Sequence, residues 1–275
     1  MKLGSNLLLS AVIVATLAAF LNAPKPALAQ TAIPSAELNG ESPDSCPHLF
    51  SVGNGNTYLQ YCVSDNGNIS SIQTPFGHFH SGAQGEGYGL CQESPAVEYH
   101  DYGVSDSGNW QPPQIVSLTK SLIKISRTTS DGRWTLVQTI SKVAANASIK
   151  VVMALTNNAR SDQVAYLLRF ADLNPNGLQD RYAFVGASFE SAWAWDGLPG
   201  TTHYGLQLQT TAKSPFGYQQ GFVREIPSGP NACDFAGDSS PNGLDGGSDY
   251  SIAYVYVGTV PSLQTLTVTL SYHAL

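Results

Sequence analysis

The stretch Thr265-Leu-Thr-Val-Thr-Leu-Ser-Tyr272 alternates polar and apolar side chains residue by residue. Successive side chains of a β-strand point to opposite faces, so this pattern predicts a strand with one buried face and one face in water. Ser148–Thr156 shows the same pattern, with apolar residues at its odd-numbered positions and Val152 as the exception on the other face. Both stretches indicate antiparallel sheets.

Two further segments predict β-hairpins. Tyr58–Val63 and Ile69–Ile72 flank an Asn-Gly turn, and an Asp-Gly turn joins Leu122–Arg127 to Trp134–Ile140. Dipeptides of this kind are typical of tight turns between antiparallel strands. Short strands that recur along the chain without helices between them predict an all-β fold. We expect a large, many-stranded antiparallel β-sandwich with an N-terminal extension.

Composition excludes several classes of protein. The chain has 275 residues, of which 42% are hydrophobic and only 12% are charged, with 26 glycines and 16 prolines. This hydrophobic content is too high for a disordered chain, and the charged content is too low for a coiled coil. The formal charge of −7, without clusters of Lys or Arg, argues against nucleic acid or an anionic membrane as the partner.

The N-terminus is typical of a secretory signal peptide spanning residues 1–29. Lys2 precedes the uncharged apolar run Leu7–Leu21, and Ala27-Leu-Ala29 provides small residues at the expected cleavage site. The apolar run is shorter than the roughly 20 residues needed to span a bilayer. We therefore expect a secreted protein, extracellular or periplasmic, that is not held in the membrane after cleavage.

The remaining chain divides into two parts. Residues 30–57 form a leader rich in Pro, Ser and Gly, and residues 58–275 are expected to form a single sandwich domain. The segment 85–113 is rich in Gly, Ser, Asp and Pro, so it is either an internal boundary or a long functional loop.

Export predicts that the four cysteines are oxidised. Cys46 and Cys62 flank a Gly/Asn-rich turn, which favours one disulfide between them and a second between Cys91 and Cys233. Four cysteines allow three pairings, so spacing alone does not fix the connectivity. A zinc site is disfavoured because the chain has no Cys-x-x-Cys pair.

A loop rich in oxygen-bearing side chains follows the predicted strand Val164–Ala171. Asp172-Leu-Asn-Pro-Asn-Gly-Leu-Gln-Asp180 places oxygen side chains at loop positions 1, 3, 5 and 9 and Gly177 at position 6. This spacing resembles the start of an EF-hand or dockerin-type calcium loop, except that Ala183 stands at position 12. The resemblance implies a calcium site, whereas the alternative is a turn that binds no ion. The expected ligands are Asp172, Asn174, Asn176 and Asp180.

A ligand site is predicted in the segment Gly85–Trp110, which shows no obvious strand pattern. Long irregular loops of compact domains are often functional, and aromatic residues alternate here with carboxylates, as in sugar sites. The expected ligand-binding residues are Glu86, Tyr88, Asp101 and Trp110. Elsewhere, Trp193 and Trp195 are two residues apart in a predicted strand, so both rings should emerge on one face, either for stacking on sugar or for sheet packing.

Two functional hypotheses follow. The first is a non-catalytic secreted protein that binds carbohydrate or another extracellular surface, with calcium stabilising one loop. The second is a glycan-active or metal-dependent hydrolase that uses the segment 77–101. In that case His78 and His80, which lie two residues apart and could face one metal, should converge in a cleft with Glu86 and Asp101.

Overall fold

The computed structural model describes residues 46–177, 183–197, 202–213, 215–224, 231–235, 245–246 and 251–275. These residues belong to one compact unit, which spans Ala36–Leu275. The predicted signal peptide and most of the predicted leader lie outside the described residues. Within the described ranges there are β-strands and short 3-10 turns but no α-helix, and therefore no helix that could span a membrane.

In the ranges that the structure describes, seventeen strands pair into three antiparallel sheets. In chain order, the strands are β1 (His48–Val52), β2 (Leu59–Val63), β3 (Ile69–Gln73), β4 (Ser81–Gln92), β5 (Val97–Asp101), β6 (Gln114–Leu118), β7 (Leu122–Thr128), β8 (Trp134–Val143), β9 (Ser148–Asn157), β10 (Gln163–Leu173), β11 (Ala183–Ala187), β12 (Ser191–Asp196), β13 (Gly205–Thr210), β14 (Tyr218–Arg224), β15 (Asp245–Gly246), β16 (Ser251–Val260) and β17 (Thr265–Ala274).

The two larger sheets form the predicted sandwich. One has five strands in the order β14-β16-β10-β4-β5, and the other has nine in the order β15-β11-β12-β13-β17-β9-β8-β7-β6. A single hydrophobic cluster contains side chains of β10 and β16 from the first sheet and of β9 and β17 from the second. Hydrogen bonds also join the sheets, for example from the Tyr272 hydroxyl on β17 to Glu86 on β4. The prediction of an all-β sandwich is confirmed.

The alternating segments behave as their pattern predicts. Ile149, Val151, Met153 and Leu155 of β9 are all fully buried, and Val268 and Leu270 of β17 pack beside them in the core. By contrast, β10 is buried on both faces, because a second cluster covers the outer face of the five-stranded sheet. The 3-10 turn Ala232–Phe235 contributes to that cover. A strand buried on both faces loses its alternation and reads as continuously apolar.

Both predicted hairpins are present. β7 and β8 pair around the turn at Gly132, which has a positive φ of 72°. β2 and β3 pair around the turn at Gly67, whose φ is 93°. A Cβ on Gly67 would lie 2.5 Å from the side-chain nitrogen of Gln138, so this turn needs glycine both for its conformation and for its close approach to β8.

The three-stranded sheet includes part of the predicted leader. Within residues 30–57, β1 forms a strand that pairs with β2 along its whole length. The predicted disulfide between Cys46 and Cys62 joins the start of this sheet to β2, and the second predicted disulfide joins Cys91 on β4 to Cys233 in the 3-10 turn. Both predicted pairings are therefore found in the structure.

The prediction that Gly85–Trp110 is a long irregular loop is wrong. β4 and β5 occupy half of it and pair from Tyr88–Asp101 to Gln92–Val97. Glycines 85, 87 and 89 face one side of β4, and the other side carries Glu86, Tyr88 and Leu90. A Cβ on Gly87 would collide with the carbonyl oxygen of Asp101. These glycines therefore allow close packing within a strand and do not mark a loop.

Candidate functional site

The four predicted ligand-binding residues lie inside the sandwich. Glu86, Tyr88 and Asp101 are 6%, 0% and 2% exposed, and Trp110 is 7% exposed. The Trp110 ring packs edge-to-face against Tyr88, with ring centroids 5.4 Å apart. Protein atoms cover the Trp110 ring, so it offers no stacking surface to a ligand.

Two arginines hold the carboxylates of this segment. Arg127 Nη1 lies 2.6 Å from Asp101 Oδ2 and donates to the Tyr88 hydroxyl at 2.9 Å. Its guanidinium carbon lies 5.5 Å from the centroid of the Trp110 ring, within cation–π distance. The second arginine, Arg169, forms an ion pair with Glu86 and is fully buried. Neither carboxylate is open to solvent as acid–base catalysis on a glycan would require.

The Glu86–Arg169 pair is the centre of a larger polar network. Glu86 also accepts hydrogen bonds from the Ile69 backbone N–H and the Tyr272 hydroxyl, and Arg169 donates to Gln138 at 2.6 Å. Burial raises the pKa of the Glu86 carboxyl, while the charge of Arg169 and these donors act in the opposite direction. Every member of the network has a partner, as a buried polar cluster requires.

The two histidines of the hydrolase hypothesis make separate contacts. His80 is fully buried and its Nε2 donates to the Thr74 carbonyl at 2.6 Å, whereas its Nδ1 has no hydrogen-bond partner within the described residues. Burial lowers the pKa of His80 to about 4. The His78 ring instead stacks on Tyr204, with centroids 3.6 Å apart, and its Nδ1 lies 2.7 Å from the Asn176 side-chain oxygen.

The predicted calcium loop is described only in part. Asp172 lies near the end of β10 and is 3% exposed, and the Asn174 N–H donates to the His80 carbonyl at 3.1 Å. Asn176 has a positive φ of 59°, and Asp180 lies outside the described residues. In the part of the chain that the structure describes, no group of three or more His, Cys, Asp or Glu side chains is arranged to hold a metal. Calcium stays a prediction.

An open cleft of about 460 Å³ lies on the outer face of the nine-stranded sheet. Its position follows from the alternation of β12, in which Ala192, Ala194 and Asp196 are buried and the two tryptophans point outward. The predicted same-face pair is therefore partly exposed in a cavity. The lining residues are Trp193, Trp195, His203, Gln207 and Leu275.

Residues of β11 contact both tryptophan rings. Gly186 on β11 pairs with Trp193, and a Cβ there would lie 2.6 Å from the indole ring. The Trp195 ring lies nearly parallel to the ring of Phe184, which is also on β11, with an interplanar angle of 15° and centroids 6.0 Å apart. Both rings thus pack against residues of β11, which restricts their orientation.

Polar groups complete the cleft. His203 is half exposed, and its Nδ1 lies 3.1 Å from Oδ1 of Asp196, which is fully buried. The other oxygen of Asp196 accepts a hydrogen bond from the Tyr204 backbone N–H, also at 3.1 Å. Gln207 on β13 is opposite Trp193 in the strand register. The cleft therefore combines two aromatic rings with one imidazole and one amide.

Sequence patterns indicate only the aromatic part of this cleft. The spacing of Trp193 and Trp195 predicts two rings on one face, and that is where they lie. His203, Gln207 and Leu275 are not predictable in this way. Gln207 and Leu275 reach the cleft because β12, β13 and the end of β17 are neighbours, and His203 reaches it from the connection between β12 and β13.

Comparisons with known proteins give likeness of fold only. No family model and no curated protein matches the sequence. A bacterial glucoamylase solved in complex with acarbose matches 88% of this chain with a TM-score of 0.60 and 9% identity, and the match spans 34% of the glucoamylase chain. A putative aldose 1-epimerase from Escherichia coli K12 matches 83% of this chain and 99% of its own, at 11% identity and a TM-score of 0.45. This second likeness is too low to support an argument.

Replacing Arg169 should show how strongly the buried pair supports the fold. In Arg169→Leu, the Glu86 carboxylate keeps its buried position without its counter-charge, so we expect a loss of about 3–5 kcal/mol in the free energy of unfolding. The double variant Glu86→Leu/Arg169→Leu should recover part of this loss, because no unpaired charge remains. Urea unfolding of wild type, the single variants Arg169→Leu and Glu86→Leu, and the double variant measures both effects. A double variant that is less stable by the sum of both single losses would contradict this account.

His80 should make the protein less stable in acid. Its folded pKa of about 4 lies below its ordinary value of 6.5, so the unfolded chain binds more protons between these pH values. Stability should therefore fall as the pH decreases from 6.5 to 4, by roughly 3 kcal/mol from this residue. His80→Gln keeps a donor for the Thr74 carbonyl and does not titrate. Urea unfolding at pH 7 and pH 4.5 should show a smaller decrease for this variant. An equal decrease would show that His80 does not cause it.

Proposed function

We propose that this is an exported carbohydrate-binding protein and that its binding site is the cleft of Trp193 and Trp195. The observation that carries the proposal is the pair of fixed, partly exposed indole rings beside His203 and Gln207. Indole faces stack on the apolar faces of sugar rings, while the indole N–H, imidazole and amide groups can exchange hydrogen bonds with hydroxyls.

The size and lining of the cleft support this assignment. A volume of about 460 Å³ lies within the range of roughly 300–1,000 Å³ that is typical of small-molecule sites. Such sites combine mainly apolar walls with a few placed polar groups. Here the buried Asp196 carboxylate orients His203, so that the imidazole reaches the cleft in a defined position.

Export is supported by the two disulfides. Cys46–Cys62 and Cys91–Cys233 leave no free cysteine among the described residues, and disulfides of this kind persist in oxidising compartments. Together with the N-terminal sequence pattern, they favour an extracellular or periplasmic protein. A polymeric or cell-surface glycan would be accessible to it there.

Substitution of either tryptophan tests the proposal. Wild-type protein should bind neutral glycans on a glycan array, and Trp193→Ala and Trp195→Ala should each weaken binding about tenfold through the loss of one stacking surface. Titration of tryptophan fluorescence with the array-positive glycan measures the change. Phe189→Ala is the matched control, since Phe189 is an exposed aromatic residue in the turn between β11 and β12 that does not line the cleft.

Two results would contradict the proposal. The first is an array without any bound glycan. The second is equal binding by wild type and both tryptophan variants, which would place the carbohydrate site elsewhere.

We also propose that Ca²⁺ binds the loop from Asp172, with Asn174, Asn176 and Asp180 as further ligands. The spacing of oxygen side chains supports this, as does the left-handed backbone of Asn176, which curls the loop. Calcium at 100 times its dissociation constant should stabilise the fold by roughly 2.7 kcal/mol. Thermal melts in EDTA and in excess calcium measure the shift. The surface control Asp65→Ala should keep it and Asp172→Ala should lose it. Identical melts of wild type in both buffers would leave a turn without an ion.

A further inference from the structure

The cleft contains two tryptophans and two side chains that can form hydrogen bonds. Trp193 is in register with Gln207, its direct neighbour on β13. Trp195 is in register with Gly205, which has no side chain, and His203, two residues before Gly205, lines the same cleft. Gln207 therefore lies directly beside Trp193, and His203 provides a second polar group beyond Gly205, on the side of Trp195.

The two tryptophans are offset along one strand. Residues i and i+2 of a β-strand lie about 6.6–6.8 Å apart on the same face, so each indole ring can face a different unit of one oligosaccharide. Within the described residues the cleft is open to solvent, and His203 and Leu275 of its lining are about half exposed. A chain can thus enter and continue beyond the two tryptophans.

The charges around the cleft favour an uncharged chain. Among the residues that the structure describes, no Lys or Arg lines it, and the Asp196 carboxylate is buried behind His203. The whole chain carries a formal charge of −7. A uronic acid or a sulfated sugar would therefore find no cation to pair with and would meet a negative protein field.

We infer that the ligand is a neutral oligosaccharide of at least two units that lies along β12, with one subsite at Trp195 and His203 and a second at Trp193 and Gln207. This inference rests on the proposed function, because it specifies the ligand of the same cleft. It adds that the two tryptophans contact different sugar units of one chain.

A series of chain lengths tests the inference. The probes are glucose, xylose, mannose and galactose with their respective linear homo-oligomers of two and three units, titrated against tryptophan fluorescence. In at least one series, the disaccharide should bind about tenfold more tightly than the monosaccharide, because it occupies both subsites. This gain should disappear in Trp193→Ala and in Trp195→Ala, and Phe189→Ala should retain it.

The outcomes separate this inference from the proposed function. If monosaccharides and longer oligomers bind equally well and the tryptophan variants weaken both, the cleft binds sugar but has one subsite, and the inference fails alone. If the gain with chain length survives both tryptophan substitutions, the second unit is bound elsewhere, and the inference is again overturned. If the array and every series show no binding, the proposed function fails and the inference fails with it.

Discussion

The buried ion pair between Glu86 and Arg169 connects the three sheets of this molecule. The alternation of polar and apolar residues specifies individual strands, but it does not specify how the sheets are placed against one another. Both residues belong to the five-stranded sheet, and their remaining hydrogen bonds reach Gln138 and Tyr272 of the nine-stranded sheet. Arg169 also donates to the Gly67 carbonyl in the hairpin turn of the three-stranded sheet. Hydrophobic burial brings sheets together without direction, whereas these bonds require one relative position. A displaced sheet would leave a buried charge without a partner.

Burial determines which polar side chains of this molecule stay accessible. Glu86 and Asp101 pair with arginines in the interior, so residue types expected of a sugar site serve the core instead. By contrast, the outer face of β12 and β13 presents indole rings, an amide and an imidazole in partly exposed positions. This is the site that we propose for carbohydrate, and the stable interior behind it would keep its residues in place, as a preorganised site requires.

Much of the fold can be predicted from local patterns, and the failures have a physical cause. β9 and β17 have one wet face, so their alternation is visible, and the turns at Gly67 and Gly132 need glycine for their backbone. The strand β4 cannot be predicted in this way, because glycine alternates in it with larger residues, and glycine-rich segments of this kind also occur in loops. The Trp193–Trp195 pair could be predicted because it depends on one strand. Its polar neighbours could not, because they depend on which strands pair.

The strand order also restricts when the five-stranded sheet can form during synthesis. β10 is the middle strand of the five-stranded sheet, and its two partners are β4, far before it, and β16, far after it. Synthesis from the N-terminus delivers β16 after β4 and β10, so a nascent polypeptide lacks one partner of its central strand until β16 follows. Pairing between such distant segments is slow in any case. The five-stranded sheet therefore cannot be completed by neighbouring hairpins alone, and its central strand is the last to find both of its partners.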